Sequence, residues 1–263
     1  MRQPVSQEGV VHRGVTRVAQ TAEVSKGSQD FRPDEKNVLL VGASRGLGLG
    51  LVKSFSTHGW KVVATERTTS AALRAVAASA NGRVRIERLD IDDTQLVQSL
   101  CRKLSKELFD VIFIVAGVRD EDPNKPIHEV PAQEAARLFI TNAYSPIFFA
   151  ETFLDRLKLD GTLAIMTSRL GSLELVPTFD GWEAYRASKA ALNILARCFH
   201  QRHSGERRTI LLVHPGWVKT DLGGADAPIE LATGAEGVYR ILGKWHGEGG
   251  LAFVDNESNL IPW

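Results

Sequence analysis

With 263 residues, 43% of them apolar, the chain is long enough to form one large domain with a sizeable core. Its 32 basic and 31 acidic residues give a net charge of +1, which does not support nucleic acid or a charged membrane surface as the main partner. The longest apolar runs, such as 111–118, are too short to span a bilayer. Cys101 and Cys198 have no metal-ligand spacing around them, so we expect reduced thiols, no metal site and a cytoplasmic protein.

The first 36 residues differ in composition from the rest of the chain. They are polar, lack a sustained hydrophobic period and contain no apolar stretch of the kind found in secretory signals. We therefore predict an N-terminal extension over 1–36 that is flexible or loosely packed, followed by one domain over 37–263.

From Asn37 onward, strand patterns alternate with helix patterns. Short apolar or alternating runs predict strands at 38–41, 61–65, 83–89, 110–115, 162–167, 209–214 and 251–255. Helical spacing predicts helices at about 47–58, 70–80, 92–108, 132–157, 183–203 and 230–245. This alternation is typical of an α/β fold in which a doubly wound, seven-stranded parallel sheet of the Rossmann type has helices on both faces. Ligands of such sheets bind beyond the C-terminal ends of the strands, where the strand order reverses.

A glycine-rich turn follows the first predicted strand. Gly42, Gly46 and Gly48 have the spacing G-x3-G-x-G and open the first helix. Glycine permits a tight turn and close approach of the backbone to a pyrophosphate, which the helix N-terminus attracts. The spacing differs from the G-x-G-x-x-G dinucleotide fingerprint, so a plain strand-to-helix turn is the alternative. The position after the first strand favours cofactor binding.

Tyr185 and Lys189 lie four residues apart in a predicted helix and so share one of its faces. A neighbouring ammonium favours the phenolate and lowers the pKa of a tyrosine, which suits proton transfer to or from an oxygen atom. Most such pairs in proteins lie on a solvated helix surface, so this pair indicates a catalytic site only if other residues of the sequence point to the same site.

Those other residues form a recognisable set. The glycine turn and the Tyr185–Lys189 pair occur with Ala116-Gly117, Asn142, Ser168 and Pro215-Gly216. In order and approximate spacing, residues 37–263 resemble the short-chain dehydrogenases/reductases, which are single-domain proteins. Segments 186–193, 214–224 and 261–263 are most similar to the C-factor-like carbonyl reductases of that family.

The resemblance implies catalytic roles for four residues. Tyr185 would be the general acid/base, and Lys189 would hold the nicotinamide ribose and lower the pKa of Tyr185. Ser168 would hydrogen-bond the substrate oxygen, and Asn142 would anchor a water molecule next to Lys189. Ser172, rather than Ser168, lies at the family's usual spacing from Tyr185, but we predict Ser168 because it falls where the fifth strand ends.

The resemblance also implies a nicotinamide cofactor. The predicted cofactor contacts are Gly42, Ser44, Arg45, Gly46, Leu47, Gly48, Arg67, Asp90, Ile91, Ala116, Gly117, Tyr185, Lys189, Pro215, Gly216, Val218 and Thr220. Arg45 and Arg67 suit the 2′-phosphate of NADP(H), whereas Glu66 suits the free ribose of NAD(H). Two arginines against one carboxylate favour NADP(H), and NAD(H) is the alternative. Asp90 would contact the adenine, unless it serves only as a helix N-terminal residue.

One departure from the family concerns the cofactor loop. The family has Asn-Asn-Ala-Gly after the fourth strand, and this chain has Ile114-Val-Ala-Gly117. The missing amides put details of cofactor binding in doubt, but not the fold.

The resemblance implies an NAD(P)-dependent oxidoreductase that transfers hydride between the nicotinamide and a carbonyl or secondary alcohol. Trp217, Phe179 and Trp182 are candidate walls of the substrate pocket. The first alternative is a non-catalytic dinucleotide sensor, or a C-factor-like signalling protein, on the same fold. A sugar-nucleotide epimerase or dehydratase is disfavoured by the glycine spacing. Relatives pair through the helices equivalent to 132–157 and 184–203, so a homodimer or homotetramer is expected.

Overall fold

The structure, a computed structural model, describes residues 36–175 and 181–263. The extension predicted for 1–36 therefore lies almost entirely outside the described residues. The strands are β1 (Asn37–Val41), β2 (Lys61–Glu66), β3 (Val84–Arg88), β4 (Phe109–Ile114), β5 (Leu157–Met166), β6 (Thr209–Val213) and β7 (Gly250–Val254). The α-helices are α1 (Gly46–Thr57), α2 (Ala71–Ser79), α3 (Thr94–Lys103), α4 (Ala132–Phe139), α5 (Ser145–Phe153), α6 (Glu183–Arg202) and α7 (Leu231–Trp245).

The strands form one parallel sheet in the order β3-β2-β1-β4-β5-β6-β7. This confirms the predicted doubly wound, seven-stranded fold. The order reverses between β1 and β4, and the crevice that this reversal leaves beyond the C-terminal strand ends is where such sheets bind ligands. No helix in the described ranges is long and apolar enough to cross a bilayer.

Both faces of the sheet are buried, which explains the nearly continuous apolar runs of its central strands. Successive residues of a strand point to opposite faces. Leu39 of β1 belongs to the core cluster that contains Phe149 of α5, and Leu40 belongs to the cluster that contains Phe55 of α1. The two helical layers thus hold the strand ends in place from both sides.

The predicted helix 132–157 is wrong as a single element. α4 passes into a π-helical turn over Ile140–Tyr144, α5 follows, and β5 already begins at Leu157. Pro146 has no N–H to continue a regular helical ladder, and a π turn is one way to accommodate that break. Leu157 pairs with Phe109 across a register shift that no periodicity reveals.

The predicted helix 92–108 is also too long. The side chain of Asp93 accepts hydrogen bonds from the backbone N–H groups of Gln95 and Leu96 and begins α3 at Thr94. α3 ends at Lys103, five residues before the predicted end at Leu108.

Candidate functional site

A cleft of about 1100 Å³ lies beyond the C-terminal ends of the central strands. Every predicted cofactor-binding residue lines it, and so does Ser168. Asn142 and Ser172 are not part of its lining. The tertiary structure therefore gathers residues from 42 to 220 at the place where the strand order reverses.

The glycine turn is sterically required. Gly42 has a φ of +90°, and a Cβ there would lie 2.7 Å from the backbone nitrogen of Ala116. A Cβ on Gly48 would lie 2.1 Å from the carbonyl oxygen of Gly42. α1 begins at Gly46 without a side-chain cap and without an acidic residue in its first turn. The N–H groups at the N-terminus of α1 can therefore donate hydrogen bonds to an anionic group in the cleft.

The departure at Ile114-Val-Ala-Gly117 leaves the backbone of this segment well held. The N–H groups of Val115 and Ala116 both donate to the carbonyl oxygen of Val41, at 2.9 and 3.0 Å. The C-terminal ends of β1 and β4 are thus joined beside the cleft, without the amide side chains that the family usually has at this position.

Tyr185 and Lys189 lie in the first two turns of α6, and neither is solvated surface. Tyr185 is 7% exposed and Lys189 is 3% exposed. The Lys189 ammonium donates to the carbonyl oxygen of Met166 at 3.0 Å and lies 5.8 Å from the centre of the Tyr185 ring. A buried ammonium next to a buried phenol in a cleft is typical of a functional site.

Burial determines the ionisation of this pair. Desolvation raises the pKa of Tyr185 to about 12, a hydrogen-bonding interaction with Ser168 opposes that rise, and the Asp120 carboxylate adds to it. Burial lowers the pKa of Lys189 to about 8. A phenol with a pKa of about 12 is protonated at neutral pH.

Of the two serine candidates, only Ser168 reaches Tyr185. It follows β5 directly, and its hydroxyl also accepts from the N–H of Leu170 at 3.2 Å. Ser172 is 1% exposed, and its hydroxyl has no hydrogen-bond partner among the described residues.

Asn142 lies in the π turn and is fully buried. Its amide oxygen accepts from the N–H of Val118 at 2.8 Å, and its amide nitrogen donates to the carbonyl oxygen of Val118 at 2.8 Å and to Ser188 at 3.0 Å. The side-chain amide therefore fixes the loop after β4, and a water molecule would need another atom of Asn142 as its anchor.

The charged residues near β2 point in different directions. Glu66 is 5% exposed; it accepts from Arg74 at 2.8 Å and from the N–H of Ser70 at 2.8 Å, and it does not line the cleft. Arg67 lines the cleft with 65% of its side chain exposed, 4.0 Å from Asp90. Arg45 also lines it and pairs with Asp221 at 3.0 Å. Arg45 and Arg67 thus place two guanidinium groups at the cleft, while the Glu66 carboxylate is paired with Arg74 outside the cleft lining.

The alternative reading of Asp90 as a helix N-terminal residue is wrong, since Asp93 caps α3. The Asp90 carboxylate accepts instead from the N–H of Asp92 at 3.2 Å and borders the cleft.

The candidate pocket walls divide into two groups. Trp182 and Trp217 line the cleft, and the Trp182 ring meets the Tyr185 ring edge-on at 5.8 Å between centres. Phe179 lies outside the described residues. Within 36–175 and 181–263, no group of three His, Cys, Asp or Glu side chains is placed to hold a metal ion.

Asp120 was not found by reasoning from the sequence. It is 4% exposed, it interacts with the backbone N–H of Tyr185, and one of its carboxylate oxygens has no hydrogen-bond partner in the described structure. Burial raises its pKa. In the sequence it belongs to a run of charged residues after β4 that resembles solvated loop, so no local signal marks it.

Comparisons with known proteins agree with this geometry. A sequence profile of the short chain dehydrogenases matches residues 36–228. The C-signal protein of Myxococcus xanthus is 36% identical over 138 residues, which cover 51% of this chain and 82% of that protein.

Two solved structures are also similar. One, assigned to the short-chain dehydrogenases/reductases of Burkholderia multivorans and containing bound NADP, has a TM-score of 0.85 and 38% identity over 87% of this chain and 100% of that one. The other, a carbonyl reductase from Pseudomonas aeruginosa PAO1 in complex with NADP, has a TM-score of 0.80 and 33% identity over the same shares.

Proposed function

The chain belongs to the short-chain dehydrogenase family, and we propose that it is an NADP(H)-dependent oxidoreductase that reduces a carbonyl compound to a secondary alcohol. The observation that carries this proposal is the buried Tyr185 beside Ser168 and Lys189 in one cleft. The similarity to a carbonyl reductase that binds NADP supports it.

In this proposal, Tyr185 is the catalytic acid. Because its pKa is raised to about 12, the phenol carries a proton at neutral pH and can donate it to the oxygen of the substrate. Ser168 donates a hydrogen bond to the same oxygen and orients the carbonyl. When bound, the nicotinamide supplies the hydride for reduction, or accepts it in the reverse direction. Lys189 binds the ribose hydroxyls, and Asn142 holds the loop after β4 that borders the cleft.

The residues of the cleft fit a nicotinamide dinucleotide. The turn at Gly42, Gly46 and Gly48 leaves room for a pyrophosphate against the N-terminus of α1. Val218 would contact the nicotinamide carboxamide through its backbone. Thr220, whose side chain lies next to Gly46, would contact the carboxamide or the phosphates through its hydroxyl. The remaining predicted contacts also line the cleft, which is large enough for such a ligand.

We propose NADP(H) rather than NAD(H) because of Arg45 and Arg67. A guanidinium pairs well with a phosphate group, and both of these face the cleft. Glu66 is held by Arg74 and Ser70 and is therefore not available to bind a free ribose or to repel the 2′-phosphate.

Replacing Arg67 with alanine is expected to raise KM for NADPH roughly 10- to 100-fold, because a charge-assisted hydrogen bond contributes about 1.5–3 kcal/mol. KM for NADH should change little, since NADH has no 2′-phosphate. Arg85→Ala is the matched control, because Arg85 pairs with Glu107 outside the cleft. A wild-type protein that strongly prefers NADH would refute the assignment of NADP(H).

The activity itself is tested with NADPH and a panel of aldehydes, ketones and diketones. We expect turnover of at least one class, observed as loss of NADPH absorbance. Tight binding of NADPH without turnover of any carbonyl would instead favour the sensor alternative, to which the similarity to the C-signal protein lends some weight.

We also propose that the enzyme acts in the cytoplasm as a homodimer or homotetramer. Apolar side chains at the junction of α4 and the π turn support the oligomer, since Phe139, Ile140 and Tyr144 are each 43–46% exposed.

A further inference from the structure

Several described residues in the connection between β5 and α6 line the cleft. Ser168, two residues after the end of β5, lines the cleft, and so does Trp182, just before α6. Between them, Leu175 lines the cleft and packs against the core. The position of Leu175 therefore affects the shape of the cleft that Tyr185 also lines.

The beginning of this connection is fixed by α6. The carbonyl oxygen of Gly171 accepts from the side chain of Asn193 at 3.1 Å, and a Cβ on Gly171 would lie 2.8 Å from the carbonyl carbon of Lys189. Gly171 is thus packed directly against the helix that carries Tyr185 and Lys189.

The next residues are held by a distant part of the chain. The N–H groups of Leu173 and Glu174 donate to the same acceptor, the backbone oxygen of Trp263, at 3.2 and 3.3 Å. These are the two residues immediately before Leu175, and Leu173 is itself 78% exposed. The backbone oxygen of Trp263 therefore restrains the backbone that leads to Leu175.

Trp263 is in turn well anchored. Ile261 donates to the carbonyl oxygen of Phe253 at 2.8 Å, which ties the end of the chain to β7. The Trp263 ring lies 5.6 Å from the Phe253 ring and 4.9 Å from the guanidinium of Arg197 on α6. A cation over an indole face is attracted by its quadrupole. The ring therefore fixes the backbone oxygen of Trp263 between β7 and α6.

We propose that Trp263 is a specificity-determining residue, which acts by holding Leu173 and Glu174 and thereby positioning Leu175 at the substrate side of the cleft. Trp263 does not itself line the cleft, so it acts on the substrate pocket indirectly, through Leu175. The substrate part of this inference rests on the proposed function.

The first experiment measures hydrogen exchange of the Leu173 and Glu174 amides in the full chain. Trp263→Ala is expected to speed their exchange roughly tenfold, because opening of the contact exposes both amides. Trp263→Phe retains an aromatic ring over Phe253 and should restore most of the protection. Unchanged exchange in Trp263→Ala would overturn the proposal, and this result does not depend on any enzymatic activity.

The second experiment compares the kinetics of the same variants, with 9,10-phenanthrenequinone as a bulky carbonyl probe. In Trp263→Ala, KM for the quinone should rise about fivefold or more, while the Kd for NADPH stays within about twofold. Arg197→Ala should show a smaller change in the same direction. Arg202→Ala is its matched control on the same helix, since Arg202 pairs with Glu151.

The outcomes separate the two proposals. Equal changes in quinone KM and NADPH Kd, or faster exchange without any change in KM, would overturn the role in specificity. A wild-type protein that reduces no carbonyl would refute the proposed function, and the exchange experiment would still decide whether Trp263 holds the loop.

Discussion

Replacing Tyr185 with phenylalanine is expected to lower kcat/KM for carbonyl reduction by about 10²- to 10⁴-fold, the contribution that a positioned general acid makes. The substitution removes one hydroxyl and keeps the ring that meets Trp182 edge-on. The Kd for NADPH, measured by fluorescence titration, should change little. The variant should also keep the wild-type fold, because it differs from the wild type by one hydroxyl group only.

Tyr239→Phe is the matched control for this variant. Tyr239 is as buried as Tyr185, at 7% exposure, but lies in α7 and contacts Phe55 and His58 outside the cleft. Its loss of a hydroxyl should leave kcat/KM unchanged. If Tyr185→Phe retained a tenth or more of the wild-type activity, Tyr185 would not be the catalytic acid.

Replacing Ser168 with alanine should reduce kcat by about 10²- to 10³-fold, since it removes a donor aimed at the oxygen on which charge develops. Ser168 also accepts from the N–H of Leu170, so the variant loses some local stability as well. Ser168→Thr keeps the hydroxyl and should recover part of the activity, which separates the chemical effect from the structural one.

Ser172→Ala completes this comparison. The Ser172 hydroxyl is buried without a hydrogen-bond partner among the described residues, so its removal should leave activity unchanged and stability equal or higher. Urea unfolding and steady-state kinetics measure the two effects. Loss of activity in Ser172→Ala, with Ser168→Ala still active, would reverse the assignment of the serine.

Much of the fold could be predicted from the sequence because its signals are local. The apolar run before Gly42 and the helical period after it are properties of neighbouring residues. Alternation of such elements leaves few topologies, and the observed sheet is the expected one. The glycine spacing and the four-residue spacing of Tyr185 and Lys189 are local in the same way.

Element boundaries were less predictable, because caps, helix breaks and tertiary contacts decide them and none of these shows in the hydrophobic period. The π turn around Asn142 and the early start of β5 at Leu157 interrupt a sequence that has helical spacing throughout. For Leu157, pairing with Phe109 of β4 outweighs the local helical preference.

The sequence by itself thus determined the order of the strands and helices, the glycine turn and the pairing of a tyrosine with a lysine. Only the tertiary structure decided which serine reaches Tyr185, that Glu66 is held by Arg74, and that Trp263 contacts the loop before Leu175. The physical reason is that a helix or strand has a fixed period, so residues at a given spacing share a face wherever the element lies. Contacts between distant segments depend instead on how whole elements pack.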